Sequence, residues 1–247
     1  MAPQIIALIP EHVAYCEPFF GGGAVFFLKP KSKVEIINDL NRFVINFYEQ
    51  AKHNFHNLQA KIRATPHSRG LYRDAMVMYN NPHLFDDLER AWAFWVLTNQ
   101  GYSGKIGAWG FATADSRCEK NLNVKRETFL PEIRERLDVV QLECADALRV
   151  IEVRDRPETF FYCDPPYHNS NMGHYEGYKA DDFEQLLQAL SAIEGKFLLS
   201  SFPSDLLTRY TNQHRWSQIK TDLPTMASKA RKPKTEVLTA NYNLSKP

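Results

Sequence analysis

Apolar residues along this chain follow one pattern near its two ends and another in its middle. Near the ends, short runs rich in β-branched and aromatic residues predict strands. The predicted strands are 14–19, 34–38, 139–144, 159–163, 196–200 and 236–242. From 41 to about 136, apolar side chains recur every three or four positions, as at Phe43, Phe47 and Ala51, which predicts helices. The pattern as a whole predicts an α/β fold with a mainly helical insertion.

The helical middle predicts a lobe inserted into a sheet domain. A chain of 247 residues is long enough for one substantial core that carries a smaller insertion. We therefore predict one domain formed by 1–50 and 137–247, and an inserted lobe formed by 51–136. Within the sheet domain, a helix is expected to begin after Asp181, an N-cap residue with Glu184 three positions later.

Composition narrows the class of protein. Hydrophobic residues make up 44% of the chain and charged residues 24%, which is typical of a globular protein and not of a disordered one. The first residues lack the features of a secretory signal and no apolar run is long enough to span a bilayer, so we expect a cytoplasmic protein without membrane association. Cys16, Cys118, Cys144 and Cys163 form no C-x-x-C pair, and three of them lie in strand-like runs where buried reduced thiols are expected.

The net charge of +1 does not by itself indicate a nucleic-acid-binding protein, because it averages over the whole chain. Basic residues are nevertheless concentrated after residue 219, and 228–234 is a compact cationic run that contains Lys229, Arg231 and Lys232. Taken alone, such a run is more often a solvated loop than a binding surface.

Two features of the first half predict a ligand site. Residues 17–23 read Glu-Pro-Phe-Phe-Gly-Gly-Gly, a strand that runs into glycines, and glycine allows positive φ and close approach of a ligand to the backbone. The spacing matches neither a dinucleotide fingerprint nor a P-loop. Asp39 follows the second strand, where an acid can accept hydrogen bonds from ribose hydroxyls. Together they predict an adenosine-bearing ligand; the alternatives are an ordinary strand–helix turn and an Asp39 that caps the next helix.

The strongest chemical signal is Asp164-Pro165-Pro166-Tyr167, directly after the strand 159–163. Proline forces the residue before it into an extended conformation, which presents the Asp164 carboxylate and the Pro165 carbonyl as fixed acceptors. If both accept from an adenine amino group, the nitrogen lone pair is freed to attack a methyl group on sulfonium, by positioning and electrostatics. Tyr167 offers a flat face for stacking on the base. The alternative is a plain turn after a strand.

These motifs resemble, in kind and in order, those of the Dam-like family of N6-adenine DNA methyltransferases. The matching segments are 17–27, 38–41, 144–148 and 164–167. The resemblance implies that S-adenosylmethionine is bound by Glu17, Pro18, Phe19, Gly21, Gly23, Asp39, Asp146 and Ala147. It also implies that Asp164, Pro165, Pro166 and Tyr167 are catalytic.

Further expectations follow from the same resemblance. It implies a Rossmann-like S-adenosylmethionine-dependent methyltransferase sheet, the product S-adenosylhomocysteine, no metal, and double-stranded DNA whose target adenine is flipped out of the helix. The family places its target-recognition lobe between the second and third motifs, and 99–111 is similar to its polar stretch followed by a glycine-rich hairpin. The expected DNA contacts are Asn99, Ser103, Gly104, Lys105, Lys125, Arg126, Lys229, Arg231 and Lys232. A surface loop with a buried Trp109 is the alternative reading of 99–111.

The chain departs from the family at its start, where a K-x-x-G-G-K element usually precedes a segment like residues 1–12. Either the start of the reading frame lies before Met1, or this is a shortened member that binds its cofactor weakly. In the second case we expect loss of the element to cost about 1–3 kcal/mol, or about tenfold or more in cofactor affinity. A methyltransferase acting on RNA adenine or on cytosine N4, and a DNA-binding member without turnover, stay open as alternatives. We expect a monomer, with a cognate restriction enzyme or a phage or mobile-element context.

Overall fold

The computed structural model describes residues 1–111, 118–166, 178–223 and 234–244. The described residues divide into two compact units. The first unit consists of 1–40, 145–166, 178–223 and 234–244, and the second of 41–111 and 118–144.

The strands and helices alternate along much of the chain, as an α/β fold requires. The strands are β1 (Ala14–Glu17), β2 (Val34–Asn38), β3 (Gln141–Glu143), β4 (Thr159–Cys163), β5 (Lys196–Ser201), β6 (Ser217–Leu223) and β7 (Lys234–Ala240). The α-helices are α1 (Ala2–Ile6), α2 (Ala24–Leu28), α3 (Arg42–His53), α4 (Phe55–Arg63), α5 (Arg69–Asn80), α6 (Asp87–Gln100), α7 (Cys118–Glu127), α8 (Pro131–Leu137), α9 (Ala147–Arg154), α10 (Ala180–Ala192) and α11 (Asp205–His214). Short 3-10 helices occupy Pro82–Leu84 and Tyr102–Gly104.

The first unit contributes six of the seven strands, in the order β2-β1-β4-β5-β7-β6. β1 pairs in parallel with β2 and β4, and β4 pairs in parallel with β5. β7 is antiparallel to both β5 and β6. Parallel strands covered on both faces carry continuous apolar runs, and all five residues of β4 are buried. This arrangement confirms the predicted Rossmann-like fold class, and it gathers the segments that follow β1, β2 and β4 at one edge of the sheet.

Helix α10 packs its apolar side against the sheet. Phe183, Leu186 and Leu190 are buried in one cluster with Phe161 of β4 and Phe197 of β5. The predicted start of this helix, with Asp181 as N-cap, is wrong. Lys179 is the N-cap, and the Asp182 carboxylate accepts a hydrogen bond of 2.6 Å from its backbone N–H. The acid therefore reaches back from inside the first turn, as the glutamate of a capping box does.

The structure differs from the sequence predictions at two further places. Strand β6 was not predicted, because its residues are mainly polar, as an antiparallel strand at the edge of a sheet allows. Cys144 is exposed and not buried, because it lies just beyond the short strand β3, whereas Cys16 and Cys163 are buried free thiols.

The second unit is helical except for β3. Helices α3 and α6 of this unit begin at side-chain caps: the Asn41 side chain accepts from the Phe43 N–H at 3.0 Å, and Asp86 and Glu89 form a capping box for α6. The boundaries predicted for the inserted lobe, between 50 and 51 and between 136 and 137, fall inside α3 and α8. Assignment of this lobe to target recognition stays a prediction.

Candidate active site

The turn after β1 requires glycine at two positions. Gly21 and Gly23 have φ of 49° and 60°, a region that favours glycine. A Cβ built on Gly23 would lie 2.4 Å from Cζ of the Phe20 ring, whereas a Cβ on Gly22 would have no neighbour within 4 Å. The glycines therefore serve different purposes: Gly23 makes room for an aromatic ring of the protein itself, and Gly22 leaves open space above the turn.

Asp39 holds this turn to the end of β2. Its Oδ2 accepts a hydrogen bond of 2.8 Å from the Gly21 N–H, and the Phe20 N–H donates to the Asn38 carbonyl at 2.8 Å. Asp39 is almost fully buried. Because Asn41 caps α3, the alternative that Asp39 caps this helix is wrong. Contact between Asp39 and a ribose stays a prediction.

Asn38, the first residue of the 38–41 motif, joins three of the predicted motifs, although the sequence analysis gave it no role of its own. Its Nδ2 donates to the Pro18 carbonyl at 2.9 Å and to the Ala145 carbonyl at 3.0 Å, and its Oδ1 accepts from the Ala145 N–H at 2.9 Å. A side-chain amide is suited to this position because it donates and accepts at the same time. The signal available in the sequence was a polar residue at the last position of a buried strand.

Asp146 and Ala147 lie at the beginning of α9. Asp146 is the N-cap, and its Oδ1 accepts from the N–H groups of Leu148 and Arg149 at 2.9 and 3.2 Å. Its side chain is exposed and Ala147 is buried. The structure thus gives Asp146 a capping role that the sequence did not reveal, and its predicted contact with a cofactor adenine stays a prediction.

Glu17 is a buried acid at the carboxyl end of β1. It is 2% exposed, and the Tyr15 hydroxyl donates a hydrogen bond to its Oε1. Burial, which disfavours the ionised form, raises its pKa to about 8; the Tyr15 hydrogen bond opposes the rise, and the charge of Asp164 adds to it. The charges of Glu17 and Asp164 therefore influence each other. Pro18, next to Glu17, is buried, and the ring of Phe19 packs edge-on against Tyr178.

A buried ion pair lies behind Glu17. Lys29 Nζ is 2.6 Å from Glu35 Oε1 and also donates to the Pro30 carbonyl at 2.8 Å and to Ser32 Oγ at 2.9 Å, which uses the three hydrogen atoms of the ammonium. The same Nζ lies 4.1 Å from the ring centroid of Tyr15. Tyr15 therefore links the ion pair to Glu17.

Asp164 directly follows β4 and is followed by Pro165, which is buried, and Pro166, which is partly buried. Its side chain can be reached by solvent, but dense surrounding protein displaces much of its hydration shell. This desolvation raises the pKa of Asp164 to about 7; the charge of Glu236 adds to the rise and a hydrogen bond with Ser200 opposes it. Tyr167 lies outside the described residues.

Six of the residues predicted to contact DNA belong to the second unit. Asn99 is near the end of α6, and its Nδ2 donates to the Trp95 carbonyl at 2.8 Å. Gly104 ends a 3-10 helix with φ of 73°, and Lys105 follows it. A β-bridge between Gly101 and Trp109 closes this loop. The side chain of Ser103, and the whole of 229–232, lie outside the described residues.

Two basic residues of α7 differ in how they are held. Lys125 is exposed, although nearby protein atoms desolvate its ammonium enough to lower its pKa. Arg126 donates to the Thr65 carbonyl at 2.7 Å and to Asn123 Oδ1. Part of the Arg126 guanidinium is therefore engaged within the lobe. Contacts of either side chain with phosphates stay predictions.

Trp109 is half-buried and not fully buried. The Arg69 guanidinium carbon lies 4.7 Å from its ring centroid, and the His67 ring centroid lies 5.0 Å away. Among the described residues no group of three or more His, Cys, Asp and Glu side chains is arranged to hold a metal ion. No helix in the same part of the chain combines the length and apolar character needed to cross a membrane.

Known proteins that are similar to this chain include three methyltransferases. The DNA N-6-adenine-methyltransferase of Escherichia phage P1 is 29% identical over an alignment of 189 residues, which covers 73% of this chain and 24% of that protein. The Type II methyltransferase M1.LlaDCHI of Lactococcus lactis subsp. cremoris is 26% identical over 264 residues, with 98% of this chain and 91% of that protein covered. The Type II methyltransferase M.MjaIII of Methanocaldococcus jannaschii is 27% identical over 191 residues, with 70% and 66% covered.

The chain thus spans about a quarter of the length of the phage P1 protein. The family of D12 class N6 adenine-specific DNA methyltransferases matches it over residues 1–241, nearly its whole length. This match confirms the resemblance inferred from the motifs: the chain belongs to the D12 class of N6 adenine-specific DNA methyltransferases.

Proposed function

We propose that this chain transfers a methyl group from S-adenosylmethionine to the N6 amino group of adenine at a specific sequence in double-stranded DNA. Methyltransferases of this family use S-adenosylmethionine in general. The observation that carries the proposal for this chain is the accessible Asp164 carboxyl at the end of the central strand β4, in electrostatic contact with Glu17. Open parallel sheets bind their ligands at this edge.

The residues at this edge fit the cofactor. The open space beside Gly22 lets a ligand approach the backbone. The exposed Asp146 side chain has a carboxylate oxygen that can accept a hydrogen bond from the adenine amino group of the cofactor. The buried Glu17 would be held in its ionised form by the positive charge of a bound sulfonium compound. When bound, S-adenosylmethionine supplies an electrophilic methyl group. Pro18, Phe19, Gly21, Gly23, Asp39 and Ala147 complete the proposed cofactor site.

Asp164 and Pro165 orient the substrate. The Asp164 carboxylate accepts one N–H of the adenine amino group and the Pro165 carbonyl accepts the other, so that the nitrogen lone pair points away from both acceptors. No strong base is needed, because the methylated ammonium is itself acidic. Asp164 must be ionised to accept, so its pKa of about 7 implies that methyl transfer weakens below that pH. Tyr167 and Pro166 complete the proposed catalytic motif.

The second unit is proposed to hold the DNA. Asn99, Ser103, Gly104, Lys105, Lys125 and Arg126 are its proposed contacts, with Lys229, Arg231 and Lys232 from the cationic run. The exposed position of Lys125 supports this assignment. A basic side chain that contacts phosphate makes DNA binding weaker as salt increases.

The partners and assembly of this chain belong to the same proposal. Two of the similar proteins are named Type II methyltransferases and the third comes from a phage. We propose that this chain acts as a monomer, either together with a cognate restriction enzyme or as part of a phage or other mobile element. Light scattering on the purified protein tests this assembly, and a dimer mass would overturn it.

The proposal is tested by replacing Asp164 with alanine. Transfer of a labelled methyl group to a mixed set of adenine-containing duplexes should be lost in Asp164→Ala and kept in Glu152→Ala, which removes an exposed carboxylate of α9. Circular dichroism should be the same for both variants. Activity in Asp164→Ala would refute the role of Asp164.

The modified nucleoside, identified by mass spectrometry, distinguishes the targets. N6-methyladenine in duplex DNA supports the proposal. N4-methylcytosine, or transfer to RNA alone, would replace it with one of the alternatives. Failure of S-adenosylmethionine to bind at millimolar concentration in calorimetry would favour a DNA-binding member without turnover.

A further inference from the structure

A buried tyrosine on β1 holds the acid at the end of the same strand. Tyr15 and Glu17 are two positions apart, so their side chains point to the same face of the sheet. Tyr15 is fully buried, Glu17 is 2% exposed, and the Tyr15 hydroxyl donates a hydrogen bond to Glu17 Oε1. Cys16, which lies between them, belongs instead to the apolar cluster of α10. One oxygen of the Glu17 carboxyl group is thus held by a side chain that solvent does not reach.

The ring of Tyr15 is itself held by its neighbours. The Lys29 ammonium lies 4.1 Å from the ring centroid, and the ring centroids of His12 and Phe160 each lie 5.9 Å from it. Lys29 is fixed in turn by its ion pair with Glu35 at 2.6 Å. A ring packed in this way has little freedom to move, so its hydroxyl stays at one position.

The hydroxyl is what distinguishes tyrosine from phenylalanine at position 15, since phenylalanine could make the same ring contacts. A hydroxyl that donates to a carboxylate favours the ionised form of the acid, whereas burial favours the neutral form. Burial raises the pKa of Glu17 to about 8 in spite of the Tyr15 hydrogen bond, which lowers it. Burial also raises the pKa of Tyr15, so its hydroxyl remains a donor at neutral pH.

Ionised Glu17 matters for a ligand that carries positive charge. The proposed cofactor turn begins directly after Glu17, so a ligand bound at this turn is close to the end of β1. Buried charges are only weakly screened, and a carboxylate there attracts a cation without direct contact.

We propose that Tyr15 is a positioning residue for cofactor binding, and that its hydroxyl holds the Glu17 carboxyl group in place and in the ionised form that favours the positively charged S-adenosylmethionine. This inference rests on the proposed function, in which Glu17 belongs to the cofactor site. It gives a purpose to a buried hydroxyl that lies outside the motifs of the sequence.

The other titratable groups around Glu17 are unchanged when the tyrosine hydroxyl is removed. The charges of Asp164 and Lys29 influence Glu17, which also interacts with Cys163 of β4. Burial lowers the pKa of His12, which packs against the tyrosine ring, so His12 is mainly neutral above its usual value of 6.5. The effects of these groups are therefore common to the wild type and a phenylalanine variant.

The inference is tested by calorimetry of S-adenosylmethionine binding to the full chain, from about pH 6.5 to 9. Tyr15→Phe should raise the dissociation constant about threefold to tenfold at the acidic end, which corresponds to a rise of about half to one in the pKa of Glu17. The ratio of variant to wild-type dissociation constants should fall as pH rises, because at high pH Glu17 is ionised with or without the hydroxyl. Titration of the ligand itself cancels in this ratio.

Tyr242→Phe is the matched control, since it removes a hydroxyl that donates to the Leu8 carbonyl at 2.9 Å. Its ratio should stay near one at every pH. A second comparison uses Glu17→Met, which has no carboxyl group for Tyr15 to hold. Adding Tyr15→Phe to this variant should leave the dissociation constant unchanged.

The inference is overturned if Tyr15→Phe binds S-adenosylmethionine as the wild type does, or if the ratio is the same at every pH. It is also overturned if Tyr15→Phe weakens binding equally in the Glu17→Met background, because the effect would then not pass through Glu17. A wild type that binds no S-adenosylmethionine would instead overturn the proposed function, so the two failures are distinct.

A second measurement needs no variant. Proton NMR of the wild type with labelled tyrosine should show the Tyr15 hydroxyl proton at low field, as expected for a buried donor to a carboxyl group. Addition of S-adenosylmethionine should shift this resonance and leave that of the Tyr242 hydroxyl in place. An unchanged Tyr15 resonance in the cofactor-bound protein would overturn the inference, even if Tyr15→Phe fails to fold.

Discussion

Gly23 is the position in the turn after β1 where one added carbon should have the largest effect. In Gly23→Ala the new Cβ would lie 2.4 Å from Cζ and 2.8 Å from Cε2 of Phe20. Phe20 cannot easily move away, because it is 3% exposed and its ring packs edge-on against Phe26 at 5.4 Å. The backbone at Gly23 is also left-handed, with φ of 60°.

The left-handed backbone and the contact with Phe20 together set the expected loss in free energy of unfolding. A left-handed conformation costs a non-glycine residue about 1–2 kcal/mol. Forcing an extra carbon into a packed region costs about 1–3 kcal/mol. Together they predict a loss of about 2–5 kcal/mol, which is a large part of the total stability of a typical domain. Gly22→Ala should lose much less, because its Cβ would contact nothing within 4 Å and its φ is not positive.

Urea unfolding of both variants measures the difference. Gly23→Ala should unfold at a lower urea concentration than Gly22→Ala, with an unchanged dependence of free energy on urea. Equal midpoints for the two variants would refute the reasoning, since they would mean that neither the Phe20 ring nor the left-handed backbone restricts position 23.

Three other changes have defined outcomes. Asn38→Ala leaves buried backbone groups without their hydrogen bonds and should cost about 3 kcal/mol or more in thermal unfolding; a loss no larger than that of the exposed Asn57→Ala would contradict this. Lys29→Met removes the charge that balances the buried Glu35 and should lower the free energy of unfolding by about 3–5 kcal/mol. Adding Glu35→Gln should recover much of this loss. If the losses of the two single variants simply add in urea unfolding, the ion pair does not contribute as proposed. Glu17 has a pKa of about 8 in the folded protein against an ordinary value of 4.5. Between these pH values the folded state therefore binds more protons than the unfolded state, and the stability of the protein falls as pH rises through them. The stability of Glu17→Gln relative to wild type should therefore increase from about pH 5 to 8, and a constant difference would show that burial does not shift this acid.

The edge of the sheet where the motifs meet was predictable from the sequence, because each motif directly follows a run of strand residues. β4 is the clearest example: five consecutive apolar or β-branched residues are all buried, and Asp164 comes next. Family membership followed from the order of the motifs. The fold class could be predicted for the same reason, since a parallel sheet leaves continuous apolar runs in the sequence.

The hydrogen bonds that join the motifs were not predictable. Asn38 and Ala145 are 107 positions apart, and no local pattern indicates that a side chain will bond so distant a backbone. Glu236 is a similar case, since an acid in a predicted strand normally faces solvent, whereas here Glu236 is buried and accepts a hydrogen bond from Ser200 of the paired strand β5. β6 was missed because an edge strand carries little apolar signal.

The bonds made by Asn38 have a consequence for how the second unit can vary. The chain leaves the first unit after Leu40 and returns to it at Ala145, and Asn38 ties these two points together within the first unit. The ends of the intervening segment are thus fixed whatever its length, and the entropy of closing a longer segment grows only logarithmically. The second unit, which is proposed to recognise the target, could therefore vary in length between these fixed ends, so that the DNA sequence that is read could diverge while the segments that follow β1 and β4 stay in place.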